Sequence, residues 1–223
     1  MSMPILFFAA GLGTRMGALT ADKPKPLIKV AGKALIDHAL DLAKDTDISK
    51  KVVNLHYHGD MIRDHLAGQP IIFSDESDML LETGGGLRKA LPLLNGNPVL
   101  TMNTDAVWNG PNPIRHILQA WRPEMEALLL LVEKRNVSGH LGKGDFHIDA
   151  NGQLHRAPEA IYTGLQILRT DVLSEIAETA FSLNIAWNII GARGGLYGTV
   201  YDGQWCDVGQ PSSIEAAEAM LDV

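Results

Sequence analysis

A glycine-rich segment follows the first apolar run of the chain and carries the residue types best suited to binding phosphate. It reads Ala-Ala-Gly-Leu-Gly-Thr-Arg-Met-Gly over residues 9–17. Residues 15–33 carry five cations against one acid, in a chain whose net charge is −7. The cations are Arg15, Lys23, Lys25, Lys29 and Lys33. Because glycines let backbone N–H groups converge on an anion, the segment predicts a cradle for a polyanion such as a nucleoside triphosphate.

Two other phosphate-binding loops are disfavoured here. A Walker A loop requires Gly-x-x-x-x-Gly-Lys-Ser/Thr, and no lysine follows a glycine at that spacing. A dinucleotide-binding loop opens straight into a helix, whereas Met16 stands at its third glycine position and Pro24 and Pro26 follow. A nicotinamide reductase is therefore disfavoured. We expect the segment to run extended to about Val30, with the prolines holding Lys25 in a stiff extended conformation.

Two aspartates are candidate metal ligands. Asp105 follows an apolar run at residues 99–102, and Asp207 lies 102 residues later among residues that look half-buried. An aspartate after a strand is also a common turn former, so the residues alone leave both readings open. Mg²⁺ takes one or two protein carboxylates together with substrate phosphates, so two aspartates would suffice.

The pattern of apolar runs predicts the elements that must position these residues. Short apolar runs that alternate with helix-period segments indicate βαβ crossovers and a mostly parallel sheet with helices on both faces. The runs occupy residues 4–10, 52–55, 71–73, 99–102 and 127–132. After residue 135, short alternating runs at 145–148 and 161–168 predict a small antiparallel β insertion. We predict one Rossmann-like α/β domain over 1–223, with a nucleotide-binding half at 1–135 and a sugar-phosphate-binding half at 136–223.

Composition excludes several classes of function. The acidic balance of 19 Lys+Arg against 26 Asp+Glu argues against nucleic acid and anionic membrane as partners. No apolar run reaches the roughly 18 to 20 residues of a membrane span. The single cysteine, Cys206, excludes an intrachain disulfide and is typical of a cytoplasmic protein. We expect a monomer or a small homo-oligomer.

Seven motifs together resemble the signature of the sugar-1-phosphate nucleotidyltransferases, the nucleoside-diphosphate-sugar pyrophosphorylases. They span nearly the whole chain. The motifs are Ala-Ala-Gly-Leu-Gly-Thr-Arg-Met (9–16), Leu-Thr (19–20), Lys-Pro-Lys-Pro-Leu (23–27), Leu-Glu-Thr-Gly-Gly-Gly (81–86), Met-Asn-Thr-Asp (102–105), Gly-Lys-Gly-Asp-Phe (142–146) and Trp-Cys-Asp-Val-Gly (205–209). One departure is Thr104, where many members of that family have glycine.

The resemblance implies a role for each group of residues. Arg15 would bind the β- and γ-phosphates, Lys25 the α-phosphate, and Asp105 and Asp207 would hold Mg²⁺. The other nucleotide-binding residues would be Ala10, Gly11, Leu12, Gly13, Thr14, Glu82, Thr83, Gly84 and Gly85. The polar candidates on the sugar-phosphate side are Asn103, Lys143, Asp145, Glu159, Thr163 and Gly164.

The resemblance also implies the substrates, a nucleoside triphosphate and a sugar 1-phosphate, which would give an NDP-sugar and pyrophosphate. The short form of the motifs is most similar to the branch that joins UTP to N-acetylmuramate 1-phosphate in cell-wall recycling. Mannose-1-phosphate guanylyltransferase and heptose-1-phosphate nucleotidyltransferase activities remain alternatives. An alternative of another class is a regulatory subunit that binds nucleotide sugars without turnover. That subunit would not need to retain all four charged residues, Arg15, Lys25, Asp105 and Asp207.

The two catalytic cations generate a first prediction. Replacing Arg15 or Lys25 by alanine should lower the transfer rate by about 10² to 10³, the usual effect of removing one charge-stabilising donor. Pyrophosphate release measured for each purified variant checks this, and turnover near the wild-type rate in either would contradict it.

Overall fold

The computed structural model describes residues 2–222, which contain fourteen strands and six α-helices. The strands are β1 (Met3–Phe8), β2 (Lys29–Val30), β3 (Lys33–Ala34), β4 (Ile48–Leu55), β5 (Ile72–Asp75), β6 (Val99–Asn103), β7 (Ala106–Asn109), β8 (Ala127–Val132), β9 (Val137–Ser138), β10 (Phe146–Ile148), β11 (Leu154–Arg156), β12 (Ile161–Leu168), β13 (Leu196–Tyr201) and β14 (Gln204–Asp207). The helices are α1 (Leu35–Leu42), α2 (Gly59–His65), α3 (Glu82–Leu94), α4 (Pro113–Ala120), α5 (Leu183–Ala192) and α6 (Ser212–Met220).

Seven of these strands form a central sheet in the order β13-β8-β12-β6-β1-β4-β5. Every neighbouring pair is parallel except those made by β12, which runs antiparallel to β6 and β8. The predicted α/β fold with a mostly parallel sheet is confirmed. Residues 161–168 form an antiparallel strand, as predicted, but their assignment to a small insertion was wrong, because β12 is buried in the central sheet between β6 and β8. The β10–β11 hairpin forms the small antiparallel sheet that was predicted.

The two faces of the central sheet are covered by different helices. Side chains alternate between the faces along each strand, so Ile5 and Phe7 of β1 join one core cluster while Leu6 joins the other. Helices α1, α2 and α4 cover the first face, and α3 and α5 cover the second. Among the described residues, no helix combines the length and the apolar character that crossing a membrane would require.

A second, three-stranded sheet in the order β7-β14-β9 lies beside the central one. Residues of β7 and β14 pack with α6 and with the segment after β1 in a third apolar cluster, which includes Met16, Val107, Cys206 and Ala217. This cluster fixes the segment that ends at Asp207 against the glycine-rich segment.

The predicted extended path between residues 15 and 30 was wrong. Residues Thr14–Thr20 form 3₁₀ turns that kink at Gly17, whose φ is 57° and ψ −128°, and Lys25–Leu27 forms a further 3₁₀ turn. Pro24 is extended, as expected. Pro26 instead occupies an early position of a turn, where no N–H donor is needed and its fixed φ is suitable.

The packing of α3 generates a second prediction. A Cβ added at Gly84 would lie 2.2 Å from the Phe181 ring and 2.9 Å from its carbonyl oxygen, whereas a Cβ at Gly191 would meet nothing closer than 3.7 Å. Gly84→Ala should therefore destabilise the fold by about 1–3 kcal/mol, a fall of about 2–12 °C in melting temperature. Gly191→Ala, also in a helix, should leave the melting temperature unchanged or raise it. Equal melting temperatures for the two variants would contradict this account.

Candidate active site

A cleft opens at the carboxyl ends of β1 and β6, the edge of an open α/β sheet where ligands bind. The chain leaves β1 toward β4 on one side and later returns to β6 on the other, so the cleft lies where the strand order reverses. It consists of two adjoining cavities of about 390 and 250 Å³, which share Phe8, Thr83, Asn103 and Ser182 in their walls. A larger depression of about 650 Å³ lies at the opposite edge of the sheet, and neither Asp105 nor Asp207 lines it.

The beginning of the glycine-rich segment is held by two residues that the sequence analysis missed. The side-chain oxygen of Asn54 accepts hydrogen bonds from the N–H groups of Ala9 and Ala10, at 2.7 and 3.3 Å. The Asn54 amide in turn donates to the carboxylate of Glu76, at 2.8 Å. Burial raises the pKa of Glu76, and the bond from Asn54 opposes that shift. Both residues line the larger cavity.

The rest of the glycine-rich segment presents unused donors. Among the described residues, the N–H groups of Gly11, Leu12, Gly13 and Thr14 have no hydrogen-bond acceptor. Gly13 adopts a φ of +65°, and a Cβ there would lie 2.9 Å from the Cβ of Lys25. Glycine at this position therefore permits both the left-handed turn and the close approach of Lys25. The arrangement can bind a polyphosphate through converging backbone donors.

Lys25 is nearly buried, with 8% of its surface exposed. Its ammonium group forms a salt bridge with the carboxylate of Asp105, at 2.7 Å. Lys25 lines the larger cavity, together with Ala10 and Gly11. A fixed cation, flanked by Pro24 and Pro26, therefore lines the cleft at the start of the 3₁₀ turn.

Asp105 and Asp207 are brought together by the pairing of β7 with β14. Asp207 lies opposite Ala106 in this antiparallel pair, and the N–H of Val208 donates to the carbonyl of Asp105 at 2.9 Å. Burial, and then the neighbouring Asp105 carboxylate, raise the pKa of Asp207. Thr104, the unusual residue of this segment, is buried and donates to the carbonyl of Phe8 at 2.7 Å. Its hydroxyl thus joins the ends of β1 and β6.

Two cations and a histidine side chain surround Asp207. Lys25, His140 and Arg15 each act to lower its pKa, against the larger opposing effect of burial. His140, which the sequence analysis missed, places its Nδ1 3.4 Å from an oxygen of Asp207 and its ring against that of Trp205. Arg15 is exposed, and its guanidinium lies about 3.1 Å from where a Cβ of Gly209 would be.

The pair of aspartates suits a divalent cation that needs few protein ligands. Asp105 and Asp207 share a partly buried site, in which Asp105 is paired with Lys25. Within residues 2–222, no group of three or more His, Cys, Asp or Glu side chains forms a metal-binding cluster. Mg²⁺ commonly uses only one or two carboxylates, with waters and phosphate oxygens completing its shell, so the residues present are compatible with it.

The Glu82–Gly86 segment begins α3 and divides into two parts. Glu82 and Thr83 line the larger cavity, and Glu82 has a left-handed φ of 58°. Gly84 and Gly85 line neither cavity of the cleft. Their N–H groups donate to the carbonyl of Phe181 at 2.8 and 3.2 Å. The Thr83 hydroxyl accepts from the N–H of Leu183 at 3.0 Å, which links α3 to the start of α5.

The candidate sugar-side residues are more scattered. Asn103 and Asp145 line the smaller cavity, and an oxygen of Asp145 accepts from the N–H of Tyr162. Gly164 packs against Asn103 with a φ of +85°, and buried Thr163 donates to the carbonyl of Leu130. Two further candidates lie away from both cavities: Lys143 is exposed, and Glu159 pairs with exposed His147 beside a separate depression.

Comparison with known proteins identifies the family. Residues 5–181 match the family model described as "MobA-like NTP transferase domain". The chain belongs to this family. A relative in Caulobacter vibrioides named N-acetylmuramate alpha-1-phosphate uridylyltransferase is 38% identical, over 97% of this chain and 96% of its own length. The catalytic subunit beta of mannose-1-phosphate guanylyltransferase from Dictyostelium discoideum is 27% identical over 95% of this chain but only 62% of its own length.

Solved structures show the same fold. The HddC protein of Yersinia pseudotuberculosis, crystallised with GMP-PN, superposes with a TM-score of 0.78 at 20% identity and covers 98% of this chain and 99% of its own. A putative glucose-1-phosphate thymidylyltransferase from Bacillus anthracis, crystallised with a sucrose, gives a TM-score of 0.82 at 18% identity, over 98% of this chain and 95% of its own. With the family match and the named relatives, these findings identify the chain as a sugar-1-phosphate nucleotidyltransferase.

The repulsion between the two aspartates generates a third prediction. With metal removed by chelation at neutral pH, Asp207→Asn should melt a few degrees above the wild type, because it removes a buried charge beside Asp105. A raised pKa in the folded state means that stability falls as the pH rises through that pKa. The advantage of the variant should therefore shrink as the pH is lowered and wild-type Asp207 becomes protonated.

Scanning calorimetry across pH checks this prediction. Asp202→Asn, which replaces an exposed aspartate just before β14, is the control and should leave the melting temperature unchanged. A lower melting temperature for Asp207→Asn at neutral pH would contradict the account.

Proposed function

We propose that this nucleotidyltransferase joins UTP to N-acetylmuramate 1-phosphate, giving UDP-N-acetylmuramate and pyrophosphate with Mg²⁺ as its metal. The observation that carries the proposal is the 38% identity over nearly the full length of both chains with the Caulobacter uridylyltransferase. A second relative of that name, from Neisseria meningitidis, is 31% identical over 98% of both chains. We place the reaction in cell-wall recycling in the cytoplasm, which is consistent with the single cysteine.

We further propose how the cleft residues perform the reaction. The phosphate of the acceptor sugar is already anionic at neutral pH, so its attack on the α-phosphorus needs no general base. The residues instead offset negative charge, which is the main requirement of phosphoryl-type transfer. Free N–H groups of residues 11–14 and exposed Arg15 would receive the β- and γ-phosphates, and Lys25 the α-phosphate. A bound Mg²⁺ would neutralise charge on both phosphates.

Asp105 and Asp207 are the residues that would hold that metal. Lys25 now pairs with Asp105 at 2.7 Å, so we expect this ammonium group to exchange part of its contact with the carboxylate for the α-phosphate when substrate binds. Asn54 and Glu76 keep the backbone at Ala9 and Ala10 in place while this happens. Glu82 and Thr83 remain candidates for contacts to the nucleoside, since they line the same cavity.

A guanylyltransferase that uses mannose 1-phosphate is the second candidate. Relatives of that name match 94–95% of this chain, but the chain spans only 62% of their length. Their identities of 26–27% are also below those of the two uridylyltransferases. The uridylyltransferase reading therefore has the stronger support.

The fourth prediction separates these candidates. Pyrophosphate release should be measured with Mg²⁺ for four nucleoside triphosphates against 1-phosphates of N-acetylmuramate, N-acetylglucosamine, glucose and mannose. We expect turnover to be greatest with UTP and N-acetylmuramate 1-phosphate, and to be lost on chelation of the metal. Dominant turnover with GTP and mannose 1-phosphate would overturn the proposed substrates.

Two lysine variants from the segment after β1 test the role of Lys25 in this assay. Lys25→Ala should lose turnover in the most active substrate combination, whereas Lys29→Ala, which removes an exposed lysine four residues later, should retain it. Activity that survives loss of Lys25 would contradict its assignment to the α-phosphate.

A further inference from the structure

The smaller cavity of the cleft contains an arginine that the transfer reaction does not use. Arg156 ends β11, opposite Phe146 of β10, and lines this cavity. Its guanidinium stacks over the rings of Phe146 and Trp187, with centroid distances of 4.5 and 5.6 Å. Stacking on aromatic faces fixes the plane of a guanidinium while leaving its N–H edge available.

Neutral groups hold this arginine in place. One Nη donates to the side-chain oxygens of Asn184 and Asn188, at 2.7 and 3.3 Å. These two residues are four apart on α5 and therefore share a face of the helix. Among residues 2–222, no carboxylate forms an ion pair with Arg156, and Asp145 of the same cavity wall acts on its charge only from beyond ion-pair distance.

The charged groups around the cavity leave room for an anion. Asp145 is the acidic residue of its wall, and one of its oxygens already accepts from the N–H of Tyr162 at 2.9 Å. The first turn of α5, from Ser182 to Asn184, lines the same wall, and the positive end of a helix dipole favours an anion. Arg156 is exposed overall, but its guanidinium is covered by the two rings; burial lowers its pKa, and Asp145 opposes that shift.

We propose that Arg156 binds a carboxylate carried by the sugar of the acceptor, and that this contact selects an acidic sugar 1-phosphate over a neutral one. The cavity adjoins the phosphate side of the cleft through Asn103 and Thr83, so a sugar whose phosphate lies near Lys25 would extend toward Arg156. This inference rests on the proposed function: N-acetylmuramate carries a lactyl carboxylate, whereas mannose, glucose and N-acetylglucosamine carry none.

The test compares two acceptors that differ only in that charge. Turnover with UTP is measured for N-acetylmuramate 1-phosphate and for its lactyl methyl ester, in the wild type, Arg156→Gln and Arg156→Lys. Arg156→Gln should lower kcat/KM for the acid by about 10- to 100-fold, the range for losing a hydrogen bond to a charged group, mainly through KM. Its kcat/KM for the ester should change by less than about twofold. Arg156→Lys should recover part of the loss.

The matched control is Arg135→Gln, which removes an exposed arginine paired with Glu133 away from both cavities, and which should leave both acceptors unaffected. Equal losses on acid and ester in Arg156→Gln, or no loss on either, would overturn the inference while wild-type turnover of the acid still supports the proposed function. A wild type that uses the ester as well as the acid would also overturn it. A wild type that does not use the acid would refute the proposed function itself, and with it this inference.

Discussion

Asp105 and Asp207 are held together by backbone pairing and not by any attraction between their side chains. The β7–β14 ladder and the bond from Val208 to the Asp105 carbonyl fix their separation. Two carboxylates in one partly buried site repel each other, and water screens the repulsion less there than at the surface. The free energy of this repulsion must be offset by packing elsewhere, and the third apolar cluster beneath β14 supplies such packing. The fold thus keeps two like charges together in one partly buried site.

Both cations near this pair, Arg15 and Lys25, come from the segment that follows β1, and glycines let them approach. Lys25 reaches Asp105 from its own turn, and Gly13 provides the space beside its Cβ. Arg15 lies beside Gly209, where an added Cβ would be about 3.1 Å from its guanidinium and 3.2 Å from the carboxylate of Asp207. Glycines at these two positions have a steric role in bringing opposite charges together, which is distinct from the flexibility usually attributed to glycine-rich loops.

Apolar runs in the sequence predicted the buried strands of the central sheet. The apolar runs at 99–102 and 127–132 became β6 and β8, because a strand buried on both faces requires a continuous apolar run. The antiparallel direction of β12 agrees with the prediction for residues 161–168, but its place in the central sheet was not predictable in the same way, since apolar content does not show which strands will be neighbours. The turn at Lys25 was mispredicted because Pro26 suits an early 3₁₀ position as well as an extended one.

Residues whose roles depend on distant partners gave no local signal. Asn54, on β4, accepts from the backbone of Ala9 and Ala10, and Glu76, just after β5, holds the Asn54 amide. A lone asparagine at a strand end has many ordinary explanations. The placement of Arg156 requires β11, β10 and α5 to meet, which no spacing in the sequence encodes. Of the sugar-side candidates taken from the motifs, Asn103 and Asp145 line the smaller cavity, but the motifs gave no indication of Arg156.

The cleft therefore combines two parts with different physical requirements. The phosphate side depends on close opposite charges, so a shift in Gly13, Lys25 or Asp105 would disturb all of them together. The smaller cavity is lined by the β10–β11 hairpin and the start of α5, and it shares Phe8, Thr83, Asn103 and Ser182 with the larger cavity. None of these four residues belongs to the hairpin. A substitution in the hairpin, such as one at Arg156, therefore changes the charge of the smaller cavity without removing any residue that lines the larger one.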